Sequence, residues 1–274
     1  MTTVQDIFAR SRPARRGLLL PFFTAGDPDI TTTMRLLGAA ERAGAEIAEL
    51  GIPFSDPIAD GPVIAESMHD ALGRGVTPHA ILDAIRTMRD SGAPGSRIAI
   101  MAMLSVSILY RMGFQRFVDA AAEAGIAGLI VPDIDLSVAP TLTAACDTRG
   151  LACVYLVAPT TTPERLRALL PLCRGFVYVL ARAGITGESA ELPDIAQKVE
   201  AIRAIAPDLG IAAGFGVATR EQVAAVLSYA DGAIVGSALV RQIANELKAG
   251  RDPVVAIEAT LRSLTADSQA PNSV

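Results

Sequence analysis

The chain has 274 residues, 51% of them hydrophobic, with 24 Lys and Arg against 29 Asp and Glu and a formal net charge of −5. That apolar content excludes a disordered chain, and the acidic balance excludes the basic footprint of a nucleic-acid or anionic-membrane binder. Cys146, Cys153 and Cys173 fit neither a CxxC metal clamp nor a disulfide framework, and His69 and His79 lack HxxxH spacing, so no metal site is expected.

In chain order, the first apolar run is "GLLLPFF" (17–23). Arginines precede it, as in a signal peptide, but Pro21 breaks the run after three leucines and no small-residue cleavage site follows closely. The segment reads as a strand after a basic turn, in a cytoplasmic protein. Further runs are "EIAELGI" (46–52), "RIAIMAM" (97–103), "GLIVP" (128–132), "ACVYLV" (152–157), "GFVYVL" (175–180), "GIAAGF" (210–215) and "GAIVG" (232–236). Stretches with helical spacing separate them, such as "TTMRLLGAAERAG" and "REQVAAVLSYA". "RAGAEI", "EAGIAG" and "YADGAI" place glycine where a helix C-cap turns left-handed.

Eight near-continuous apolar strands alternating with helices predict an α/β fold, a single (β/α)8 TIM barrel over residues 1–265 with a flexible tail over 266–274. A doubly wound sheet would need a phosphate loop after the first strand, and "PFFTAGDPD" has no GxGxxG. The longest apolar stretch, "IAIMAMLSVSILY" (98–110), is too short and too interrupted by serine to span a bilayer.

Barrel active sites lie in the loops after the strands. "ELGIPFSDPIADGP" (49–62) sets Glu49 near the end of the second strand and Asp60 in the loop that follows. About 25 residues separate that strand from a helix starting near Pro78, and long loops in compact domains tend to be functional. A plain surface loop with Asx turns is the alternative. Lys198 and Lys248 are the only lysines and neither ends a strand, so a Schiff base has no nucleophile. No GxSxG elbow is present, and the cysteines lack a positioned histidine. Carboxylate acid–base work remains, with Tyr178 as a possible participant. Leu50 and Ile52 flank Glu49, and an apolar setting raises a glutamate's pKa towards neutrality. The competing role for Glu49 is a structural acid paired with an arginine. Glycine-rich segments "AGITG" (183–187), "GFGV" (214–217) and "GSAL" (236–239) follow the last three strands, where backbone N–H groups would face a phosphate.

From "PFFTAGDPD" to "GSALV" the chain resembles the tryptophan synthase alpha chain family, most specifically in "ELGIPFSDPIADGPVI". "LVAPTTTPER", "RAGITG", "GFGVATREQV" and "ADGAIVGSALV" follow in family order. The resemblance implies cofactor-free retro-aldol cleavage of indole-3-glycerol phosphate, with Glu49 shuttling protons and Asp60 steadying charge on the indole nitrogen side. It assigns Gly187, Phe215, Gly216, Gly236 and Ser237 to the phosphate, and Phe22, Tyr178 and Phe215 to the indole pocket. Barrel filling is an even alternative for Phe22 and Tyr178. Thr186 sits where the family's mobile loop closes on Asp60. A tryptophan synthase beta chain is the implied partner, in an α2β2 assembly, with Asp56 facing it and Asp135 on the same face.

The match departs from the family in places. Ser105 and Ser107 stand where a tyrosine and an asparagine are usual, and a serine near the indole leaves space or admits water. Asp135 replaces a proline, and Ala181 and Ala183 drop two hydroxyls. These changes leave two alternatives: a catalytically weak subunit that activates a beta partner, and a lyase for a different aryl-glycerol phosphate.

Overall fold

A computed structural model describes residues 3–14, 16–57, 61–180, 196–214 and 216–265, so the proposed tail over 266–274 lies outside the described residues. The strands are β1 (Leu18–Thr24), β2 (Ile47–Gly51), β3 (Ala99–Met103), β4 (Gly128–Ile130), β5 (Ala152–Val154), β6 (Leu156–Val157), β7 (Phe176–Leu180), β8 (Gly210–Gly214) and β9 (Gly232–Val235). The helices are α1 (Val4–Ser11), α2 (Ile30–Arg42), α3 (Pro62–Gly73), α4 (Pro78–Ser91), α5 (Val106–Met112), α6 (Phe114–Ala124), α7 (Ala139–Asp147), α8 (Pro163–Leu169), α9 (Ala196–Ile205), α10 (Arg220–Leu227), α11 (Ser237–Lys248) and α12 (Pro253–Thr265).

All ladders between these strands are parallel, in the order β5-β4-β3-β2-β1-β9-β8-β7-β6. The two ends of that order, β5 and β6, are consecutive pieces of one apolar run, so the sheet closes on itself. The eight expected strands are therefore present, with the fifth split at Tyr155. Its main chain still bridges the closure, because Tyr178 N donates to Tyr155 O at 3.1 Å. The Tyr155 side chain is buried against α7, where its hydroxyl donates to Ala139 O and meets Thr143 Oγ1, each at 2.8 Å. Tyr155→Phe removes the donor to the buried Ala139 O and one partner of Thr143 Oγ1, which keeps its bond to Leu172 O at 3.0 Å. It is expected to destabilise the fold by about 1–3 kcal/mol in denaturant melts with little change in turnover.

Side chains alternate along each strand between barrel interior and helix layer. Leu18, Leu20 and Phe22 on β1, Ile47 on β2, and Ala99, Met101 and Met103 on β3 pack in the interior cluster. Leu19, Phe23, Ala48, Leu50, Ile100 and Ala102 pack outward under the helices. One end of the interior is plugged by α1, whose Phe8 stacks on Phe176 with ring centroids 5.1 Å apart. Gly210 admits that plug, since a Cβ there would stand 2.6 Å from Phe8 Cδ1. The floor is thus filled, and the C-terminal ends of the strands form the mouth.

Two expectations need correction. The chain before the first strand holds α1, closed by a reciprocal Thr3–Asp6 capping box, and is more than a basic turn. The segment between β2 and α4 is not one long loop, because the 12-residue α3 interrupts it, with Pro62 in its first turn. Glycine also serves different ends in the three helix–strand joints. Gly44 and Gly125 have φ of 91° and 84°, as a left-handed cap requires, but Gly232 lies inside β9, where a Cβ would stand 2.8 Å from Leu20 Cδ1.

Candidate active site

Glu49 sits two residues after the inward-facing Ile47 and between the outward-facing Ala48 and Leu50, so its side chain points into the barrel. It pairs in register with Phe22 on β1 and Met101 on β3, one residue pair below the last rung of β2. It is fully buried, and neither carboxyl oxygen has a hydrogen-bond partner among the described residues. No arginine pairs with it there, so the structural-acid role has no support. Burial alone pushes its pKa well above the ordinary glutamate range. A carboxyl held neutral in such a setting can donate a proton and take it back near neutral pH.

Phe22 and Tyr178 belong to the same interior cluster and are almost wholly buried. Two glycines make room for them. A Cβ on Gly51 would stand 2.6 Å from Phe22 Cζ, and one on Gly214 would stand 3.1 Å from Tyr178 Oη.

The phosphate side is built from β9 and α11. Gly236 leaves β9 and is the N-cap of α11, and Gly236 and Ser237 are both half-buried. The first-turn amides of a helix have no intrahelical acceptor and carry the positive end of its dipole. A Cβ on Gly236 would lie 3.5 Å from Phe22 Cβ, which puts this helix start beside the residue in register with Glu49. Gly216 follows β8 with φ of 74°, a left-handed turn that favours glycine. The mouth therefore brings together Glu49, Phe22, Tyr178, Gly216, Gly236 and Ser237. Asp60, Thr186, Gly187 and Phe215 lie outside the described residues.

Asp56 and Asp135 are both exposed. Asp56 accepts from Ser55 Oγ at 2.8 Å. Asp135 accepts from the amide and hydroxyl of Ser137 at 2.8 and 2.6 Å, and these bonds hold its carboxyl below the usual range.

Two clusters of polar contacts carry no clear mark in the sequence. Ser105 is buried. Its hydroxyl bonds Asp133 Oδ2 at 2.6 Å and meets Ser107 Oγ at 2.8 Å, while Val106 N donates to Asp133 Oδ1 at 2.8 Å. The Pro-Asp pair after the fourth strand was the available signal for Asp133. Thr24 and Ser67 also meet in the core, and neither stands out in the sequence. All three cysteines are buried and free, and no group of metal-binding side chains occurs among the described residues. No helix among them is long and apolar enough to cross a membrane.

A closed parallel barrel with a buried acid that has no partner among the described residues, and a helix N-terminus at the same mouth, defines the chain as a TIM-barrel protein with a candidate site for a small anionic molecule. The family model described as tryptophan synthase alpha chain matches residues 8–269. The tryptophan synthase alpha chain of Prochlorococcus marinus is 42% identical over 243 residues, covering 88% of this chain and 87% of that one. The alpha chain of Halorhodospira halophila is 38% identical over 273 residues, covering 97% and 98%. Among solved structures, tryptophan synthase of Mycobacterium tuberculosis superposes with a TM-score of 0.86 at 32% identity, over 99% of this chain and all of that one. A mutant tryptophan synthase alpha-subunit of Pyrococcus furiosus gives a TM-score of 0.82 at 34% identity, over 92% and 98%. The chain belongs to the tryptophan synthase alpha chain family, lyases that cleave indole-3-glycerol phosphate to indole and glyceraldehyde 3-phosphate.

Proposed function

We propose that this chain cleaves indole-3-glycerol phosphate with Glu49 as its proton carrier. What carries the proposal is the state of Glu49: fully buried, inward, and without a hydrogen-bond partner among the described residues. In its neutral form Glu49 protonates indole C3, which turns the ring into an electron sink. The carboxylate so formed takes the proton of the glycerol hydroxyl next to the scissile bond. The carbon–carbon bond breaks, its electrons return to the indolium ring, and the hydroxyl carbon becomes the aldehyde of glyceraldehyde 3-phosphate. Glu49 ends the cycle protonated, so no cofactor is consumed. Asp60 steadies the positive charge that develops on the indole N1–H. Phe22, Tyr178 and Phe215 enclose the ring.

The phosphate rests on the start of α11, with Gly236 and Ser237, and on Gly187, Phe215 and Gly216, while Thr186 belongs to the loop that closes on Asp60. Support comes from the N-cap position of Gly236, a half-buried helix start beside Phe22. A cytoplasmic setting and a beta-chain partner belong to the same proposal. The exposed Asp56 and Asp135 are its interface residues, and an α2β2 assembly is its expected form.

The test is release of indole from indole-3-glycerol phosphate by the purified chain, alone and with a beta chain added. Turnover is expected in both cases and faster with the partner. Absence of indole above background with the partner present would overturn the proposal.

A further inference from the structure

We propose that Ser67 is a positioning residue: its bond to Thr24 clasps α3 over the barrel mouth and keeps the chamber of Glu49 closed. This rests on Glu49 being the proton carrier.

The two hydroxyls are buried and 2.6 Å apart. Ser67 Oγ also donates to Ile64 O at 2.8 Å, which uses its one hydrogen. Thr24 is therefore the donor in the pair, and its only hydrogen is spent on Ser67. Thr24 is in register with Gly51, the last residue of β2 and the next inward position above Glu49. A Cβ on Gly51 would meet Phe22 Cζ at 2.6 Å and Met68 Cε at 3.1 Å. One ring from β1 and one methyl from α3 therefore border the position directly above Glu49 on β2.

Ile64 and Met68 of α3 are both buried in the interior cluster with Phe22. Ser67 lies between them on the same helix face and is the polar fixing point of that roof. The helix also packs against α11, the helix whose start is proposed for the phosphate. Among the described residues, Glu49 is in register with Phe22 on β1 and Met101 on β3, and Met103, Ile64 and Met68 belong to the same uncharged interior cluster. Tyr178 is the titratable side chain of the interior cluster nearest this mouth. Glu66, His69 and Asp70 of α3 are exposed on its outer face.

Loss of the clasp loosens the roof and lets water reach Glu49. Better solvation favours the ionised carboxylate, so the limb of the pH–rate profile belonging to Glu49 moves to lower pH. Misplacement of a catalytic group by a fraction of an ångström lowers kcat more than it changes substrate binding.

Four variants of the full chain are compared on indole-3-glycerol phosphate: Ser67→Ala, Thr24→Ser, the double variant Thr24→Val with Ser67→Ala, and Glu49→Gln. Ser67→Ala is expected to lower kcat about tenfold, with KM changed less than about threefold, and to shift the Glu49 limb down. Thr24→Ser keeps the hydroxyl and is expected to keep the wild-type limb. The double variant leaves no orphaned hydroxyl, so its Tm is expected to recover while kcat stays low. The proposal fails if Ser67→Ala shows wild-type kcat and an unmoved limb, or if the double variant regains activity together with stability. An inactive Glu49→Gln beside an unshifted Ser67→Ala defeats the clasp alone. An active Glu49→Gln defeats the role given to Glu49 itself.

Discussion

Replacing Glu49 by glutamine is expected to lower kcat for indole release by about 10²–10⁴-fold, the usual contribution of a positioned acid–base group. The same change is expected to stabilise the protein at neutral pH. Glutamine is close to isosteric, so the barrel keeps its packing, and it cannot ionise. In the wild type, burial raises the folded-state pKa of Glu49 well above the ordinary range, whereas an unfolded glutamate titrates near about 4.3. Below about pH 4.3 the carboxyl is protonated in both states and contributes no pH dependence. Above it the unfolded chain releases the proton and the folded chain holds it. Stability then falls as pH rises, by about 1.4 kcal/mol per unit, until the folded-state pKa is reached. The difference between Glu49→Gln and wild type should therefore widen from about pH 4.3 upwards, read as the change in urea midpoint across the pH series. A constant difference across that series would mean that Glu49 ionises as freely in the folded state as in the unfolded one.

Ser237→Asp is expected to separate the phosphate site from the stability of its helix. Residue 237 is the first residue of α11. A carboxylate in the first turn complements the helix dipole and stabilises by roughly 0.3–1 kcal/mol. It also meets an incoming phosphate as a like charge. At about 4 Å and an effective dielectric near 20, each unit charge pair is worth roughly 4 kcal/mol. KM for indole-3-glycerol phosphate should rise at least ~100-fold, while Tm is unchanged or higher. A variant with unaltered KM would remove α11 from substrate binding. A variant that fails to fold would contradict the half-buried position found for Ser237.

The barrel was legible because its strands are buried on both faces, which writes them as near-continuous apolar runs. The break at Tyr155 left no such mark. It comes with a hydroxyl held by Ala139 O and Thr143 Oγ1, a tertiary contact that local pattern does not encode. In the sequence α3 looks like loop because Pro57, Gly61 and Pro62 punctuate the same stretch. Pro62 in fact starts the helix, where its missing N–H has no partner to lose.

Glu49 could be singled out from its place at the end of an apolar run. That it has no described partner emerged only when β2 was placed between Phe22 and Met101. The sequence marks Ser105 only as a small side chain. The structure adds that its hydroxyl is held by Asp133, which joins the turns after β3 and β4. Thr24 and Ser67 were invisible for a simpler reason. Hydroxyl residues are common, and only their 2.6 Å approach in the core distinguishes these two.

The most direct test is the ionisation state of Glu49 itself, followed by carboxyl-carbon NMR or difference infrared spectroscopy against Glu49→Gln. A protonated carboxyl that persists at pH 7 and titrates far above other glutamates is the expected result. A carboxylate already ionised at pH 5 would contradict the account, because a charged Glu49 in that chamber has no proton to give to indole C3.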